Sequence, residues 1–196
     1  MKNNGLVKKK GEWGYINSRK LLVSIRTAIM YIAAIGIYII GIKTCGTYKN
    51  IWTIVAILSI LPASKSMVNL IMFFRFKSLP KNDYSLLCEH IKDIPAIYEL
   101  PFTTYERTYF VEAIVCTNNT IIGYRTEDNS KRGNNKTLET HLSEVLTIDN
   151  YKNFTVKIFD SRKAFLNRVD EMNNNFSDSN GEYDIGMLAT LKSVIL

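Results

Sequence analysis

Few side chains in this sequence have the chemistry to react, and they are scattered. Its 196 residues hold two histidines and three cysteines. A zinc centre needs such ligands grouped at short spacings. Cys45, Cys88, Cys116, His90 and His141 form no CxxC and no Cys/His cluster, so neither a metal nor a cofactor is expected. Cys88, Glu89 and His90 follow one another on one helix, where neighbours point to different faces, which argues against a thiol–imidazole dyad. His141 lies between Leu138 and Leu142 and reads as a packing or surface residue. Tyr98, Tyr105, Tyr109 and Tyr124 form either a binding face or ordinary sheet packing. The chain contains no GxxxxGK[ST], GxGxxG, GxSxG or HExxH, so nucleotide, hydrolase and zinc-protease chemistry has no starting point. The most unusual polar residues are Lys65 and Asn69, one helical turn apart in an apolar run that also contains Pro62.

That run is one of two. Residues 21–42 carry a single charge, Arg26, and residues 51–74 carry only Lys65. About 20 apolar helical residues cross about 30 Å of hydrocarbon, so both are expected to be transmembrane helices. Core helices seldom keep all faces apolar for this long. The first run is too long for a signal peptide, and KTCGTY is a poor cleavage site. In the second, Pro62 predicts either a kink or an early end, with an interfacial helix beyond it. Pro62, Lys65 and Asn69 then define a polar seam for a partner helix or for self-association. Ser64 or Ser66 is placed to satisfy the carbonyl that Pro62 frees.

Charge orients these helices. Residues 1–81 hold 13 Lys and Arg against one acid, a net +12, whereas residues 82–196 hold 12 against 17, a net −5. Basic residues gather before the first span and after the second, and the loop 43–50 has two. The positive-inside rule then predicts a multi-pass cell-membrane protein with both termini cytoplasmic. Residues 1–20 are read as a basic cytoplasmic arm and 43–50 as an extracytoplasmic loop. Lys8, Lys9, Lys10, Arg19, Lys20, Arg75 and Lys77 are expected against lipid headgroups. Cys88 and Cys116 should stay reduced in the cytosol. The acidic balance of residues 82–196 disfavours a nucleic-acid surface.

Periodicity in residues 82–196 predicts a helix over 83–93, strands over 96–102, 108–117 and 120–126, and a polar loop at EDNSKRGNNK. A helix over 137–146, a strand over 154–159 and helices over 161–172 and 183–196 follow. A tight turn is expected at Asn118-Asn119. The fold class is a membrane α-hairpin of two transmembrane helices plus a soluble α+β domain of order α-β-β-β-α-β-α-α.

The αβββαβ order resembles the restriction-endonuclease-like fold, and its membrane-tethered form resembles the nuclease-related (NERD) domain. What this resemblance implies is an acid on the second strand and an acid-x-Lys on the third, holding a metal that activates water. In VEAIVCTNNTIIGYRTED, Glu112 takes the first acid's place, Arg125 the second's and Glu127 the lysine's. A catalytically degenerate nuclease-like domain follows, with Glu112 and Glu127 as vestigial positions. The KGEWGYINSRK opening, the LPASK step and the VKIF strand also resemble small two-span bacterial membrane proteins of unassigned function. Three functions are therefore expected as alternatives: a membrane-anchored cytosolic interaction or scaffold protein, a tethered nuclease-like domain, or a small accessory subunit of a membrane complex.

Overall fold

The computed structural model describes residues 8–104, 106–130, 133–174 and 181–195. The chain divides into two compact units: residues 16–77, and residues 8–15 together with 78–195.

The first unit is a helical hairpin. α1 (Tyr15–Cys45) has 31 residues and α2 (Ile51–Phe74) has 24, so they are about 46 and 36 Å long. Both are long and apolar enough to cross a membrane, and only 17% of each apolar window is buried. That low figure separates them from the core helices of a soluble protein, which bury most of their surface. Asn50 begins α2 by accepting a hydrogen bond from the Thr53 amide at 2.9 Å. α2 continues through Pro62 to Phe74 and does not end early. The apolar residues beyond the proline keep helical geometry, so MVNLIMFF completes α2 instead of forming a separate segment.

The inner faces of the hairpin are small. Thr27, Ala34 and Gly41 recur every seven residues on α1, as do Ala56 and Ala63 on α2, and all five are buried. Such residues let helix backbones approach closely. A Cβ on Gly41 would lie 2.4 Å from the Cβ of Trp52, so Gly41 is required by packing.

The second unit contains α3 (Lys81–Ile91), β1 (Ala96–Thr103), β2 (Thr108–Thr117), β3 (Thr120–Tyr124), α4 (Glu127–Ser130), α5 (Asn135–Ile148), β4 (Thr155–Phe159), α6 (Arg162–Asn174) and α7 (Gly181–Ser193). The expected α+β order holds. The sheet order is β1-β2-β3-β4, with the first three strands antiparallel and β4 parallel to β3. Two departures concern the crossover and the last helix. Glu127–Ser130 form one helical turn where a loop was expected, and Lys131 and Arg132 lie outside the described residues. α7 stops at Ser193 because Ile195 instead bridges Phe102 of β1.

Ala113 and Val115 of β2 pack in a core with Leu87 and Ile91 of α3 and Phe165 and Val169 of α6. Alternate side chains face the other way: Cys116 lies against Asp184 of α7. Asn118 and Asn119 turn between β2 and β3 with φ of 49° and 60°, the positive values that a two-residue hairpin turn needs.

Residues 8–15 are not a free arm. The amide of Tyr98 donates to Gly11 O at 2.9 Å, so this segment straps the outer edge of β1. Trp13 stacks on Tyr84 with ring centroids 4.9 Å apart, and its Nε1 donates to Leu79 O at 2.8 Å. The strap and Ile195 cover an edge that would otherwise expose unpaired backbone groups.

Candidate functional site

Two places merit scrutiny as sites, one in each unit. In the α+β domain the first is the region around Glu112, which is 3% exposed. Its carboxylate accepts bonds from the Thr126 amide at 3.1 Å, from Asn129 Nδ2 at 2.7 Å and from the Thr126 hydroxyl. Burial raises its pKa, while those hydrogen bonds act in the opposite direction. The acceptor capacity of Glu112 therefore holds the turn from β3 into α4.

Arg125, 1% exposed, plays the complementary part. Its Nε donates to Phe110 O at 3.3 Å, Nη1 to Gly133 O at 3.3 Å and to Asn135 Oδ1, and Nη2 to Asn129 O at 2.5 Å. Its guanidinium carbon lies 5.2 Å from the Tyr109 ring centroid. Desolvation lowers its pKa, and the nearby Glu112 and Asp160 act against that shift. At the position the nuclease resemblance gives to an acid, this chain has a cation that ties the start of the β3–β4 crossover, at Asn129, Gly133 and Asn135, to Phe110 of β2. Glu127 is exposed in the first turn of α4.

His90, Cys88 and Tyr98 are likewise engaged. His90 Nδ1 donates to Asp170 at 2.8 Å, across α3 and α6. Cys88 lies 3.7 Å from the Tyr98 hydroxyl. Burial, followed by the neighbouring Cys88, pushes the Tyr84 phenol up to about 12 and raises Tyr98 as well, so both are neutral packing groups near pH 7. Tyr105 lies outside the described residues. His141 borders a cleft of about 450 Å³ with Glu106, Lys136 and Glu144. Among the described residues no group of three or more His, Cys, Asp or Glu is arranged to hold a metal ion.

The second place is a polar layer in the hairpin. Thr27 Oγ1 donates to Val23 O at 2.7 Å, which commits its proton. Ser66 Oγ, 2.7 Å away, then donates to Thr27. This buried bond joins α1 to α2, and sequence reading missed it. Its signal was the seven-residue spacing of small residues that places Thr27 on the inner face. Pro62, Lys65 and Asn69, by contrast, are all exposed on the outside of α2. Their spacings of three and four put them on one stripe. The expected seam is therefore one exposed stripe, about 40–100° around α2 from the Ser66 that meets α1.

Two of the basic residues expected at headgroups have other partners. Lys10 donates to Ile195 O in the α+β domain. Lys20 Nζ donates to Phe76 O at 2.6 Å, just past the end of α2, and lies 5.7 Å over the Phe74 ring. A lysine there satisfies a carbonyl left open at a helix C-terminus. Lys9, Arg75 and Lys77 are exposed, and Lys8 and Arg19 are half-buried.

No family model, curated protein or solved structure matches this chain.

Proposed function

We propose that this protein is a membrane-anchored interaction module. α1 and α2 cross the bilayer as a hairpin, the short loop around Cys45 faces the outside, and the α+β domain works in the cytoplasm on a protein partner. The observation that carries this reading is the exposure of apolar side chains all round the hairpin, including Ile29, Ile32, Ile39, Ile57, Leu61 and Val68. So much exposed hydrocarbon is stable in lipid and not in water. The charge split supports the orientation, with 13 basic residues against one acid up to residue 81. The engagement of Glu112 by three donors supports a binding role over a cleaving one.

Thiol labelling tests the reading. Cys45 is exposed, Cys88 is half-buried and Cys116 is buried. In intact cells a membrane-impermeant maleimide should modify Cys45, and alkaline carbonate should leave the protein in the membrane pellet. Extraction by carbonate, or labelling of Cys45 only after lysis, would refute insertion or orientation respectively.

A second reading is favoured by the outward stripe Pro62, Lys65 and Asn69: an accessory subunit that meets a partner helix there. Loss of a co-purifying protein on Lys65→Leu, with insertion unchanged, would establish it.

A further inference from the structure

Arg26 and Lys65 belong to one layer of the hairpin. The Thr27–Ser66 bond ties α1 to α2 at that height, and each cation immediately precedes one of the bonded residues in sequence. In antiparallel helices this offsets their Cα atoms by only about 3 Å along the axis. Both side chains are exposed, and neither has a hydrogen bond or ion pair among the described residues. Asn69 lies one turn beyond Lys65 on the same outward stripe.

The hairpin cannot neutralise this layer. Between Glu12 and Asp83 the sequence contains no acid, so neither the hairpin nor a second copy of it supplies a countercharge. Two cations placed among apolar side chains, and unpaired, are costly in hydrocarbon. Arg26 is five residues from the start of the apolar run at Leu21, about 7 Å, and Lys65 is nine from Phe74, about 13 Å. Long side chains extend toward the interface from such depths, where anionic headgroups are the abundant countercharge.

We propose that Arg26 and Lys65, with Asn69 as a polar neighbour, form a binding site for the phosphate of an anionic phospholipid on the cytoplasmic side. The proposal rests on the membrane reading above and deepens it by naming a ligand. Arg26 offers a forked donor suited to phosphate oxygens and Lys65 a point charge. The inner bond holds the two helices at a register that keeps the two cations within about 3 Å of each other along the hairpin axis.

The test uses the full-length protein purified in mild detergent. Phosphatidylglycerol and phosphatidylcholine with identical acyl chains are offered together, and retained lipid is counted by native mass spectrometry. Wild type should retain phosphatidylglycerol over phosphatidylcholine by about tenfold or more, as expected for two basic groups near an anionic headgroup. The Arg26→Leu/Lys65→Leu variant should fall to near parity. Lys43→Gln/Lys49→Gln, which changes only the loop cations, should keep the preference. Equal retention of both lipids by wild type overturns the proposal, as does a preference that survives Arg26→Leu/Lys65→Leu. Loss of a co-purifying acidic membrane protein from that variant, without any lipid preference in wild type, would also overturn it in favour of a partner helix. Carbonate resistance of each variant reports insertion separately, so failure of the lipid site is distinguishable from failure of the membrane reading.

Discussion

Glu99 and Glu112 lie between the same two paired positions of the β1–β2 ladder, yet their carboxylates go to different partners. They lie between the pairs Tyr98–Ala113 and Leu100–Val111, and both are buried. Facing like charges on adjacent strands are destabilising. Glu99 adopts φ of 56°, and its carboxylate accepts from the Leu79 amide at 3.1 Å and from the Ser78 hydroxyl. Glu112 turns to Thr126 and Asn129. One positive φ thus separates two buried acids and anchors the chain just ahead of α3.

Glu99→Ala should destabilise the α+β domain by about 1–3 kcal/mol, because it strands the buried Leu79 amide, while the unfavourable φ stays as it is in wild type. Glu99→Gly loses the same acceptor but relieves the backbone, so it should be about 1 kcal/mol less damaging. Chemical denaturation followed by Trp13 fluorescence in a Trp52→Phe background reads this directly. Equal losses for the two variants would show that φ at residue 99 costs nothing.

Glu112 gives the stability a pH dependence. Burial raises its pKa, so the folded chain holds the proton more tightly than the unfolded chain does. That contribution is fully present below the unfolded value, and it is lost as pH rises through the folded one. Unfolding free energy should therefore fall with rising pH across the range just above the ordinary carboxylate value, with a slope of at most about 1.4 kcal/mol per unit. Glu112→Gln should remove that component of the slope.

Gly41→Leu should open the loop end of the hairpin, because even a Cβ there would clash with the Trp52 Cβ. Proximity of the helices can be read from oxidative cross-linking of Thr27→Cys with Ser66→Cys, in a background lacking the native thiols. The pair should cross-link efficiently, and adding Gly41→Leu should reduce the yield several-fold. An unchanged yield would mean that the helices can separate at Gly41 without losing contact at Thr27.

Ser66→Ala removes the donor to Thr27. The cost should be modest, about 0.6 kcal/mol and under 2 kcal/mol, in line with hydrogen bonds between helices in lipid. Steric trapping or unfolding in detergent micelles measures it.

Cys116 should resist thiol reagents until the domain unfolds. It is buried, and burial, then the charge of Asp184 and the bond to its carboxylate, raise the thiol pKa. In detergent Cys45 should react fast. Asp184→Asn should expose Cys116, since Asp184 also accepts from the amides of Asn118 and Asn119 at 2.9 and 3.1 Å and so anchors their turn to α7. Rapid labelling of Cys116 in the folded wild type would show that this lock is absent.

The two apolar helices and the α+β order were legible in the amino-acid sequence because both depend on local properties. Run length and charge spacing define the helices, and alternation against helical periodicity defines the order of elements. The Asn118-Asn119 turn was legible for the same reason: two adjacent asparagines tolerate the backbone that a tight hairpin needs. What only tertiary structure decided were choices among partners distant in sequence. Nothing local to Thr27 specifies Ser66, and the polar residues of α2 divide into an inward Ser66 and an outward Lys65 only once the helices pair. Basic composition suggested that residues 8–15 meet lipid, but backbone groups on an exposed strand edge need partners, and this segment supplies one at Tyr98. Glu112 and Arg125 were visible as polar residues in an apolar strand region. Their role as clamps of the crossover emerged only when folding brought Asn129, Gly133 and Asn135 around them, because a buried charge is tolerated only where donors and acceptors from several elements converge.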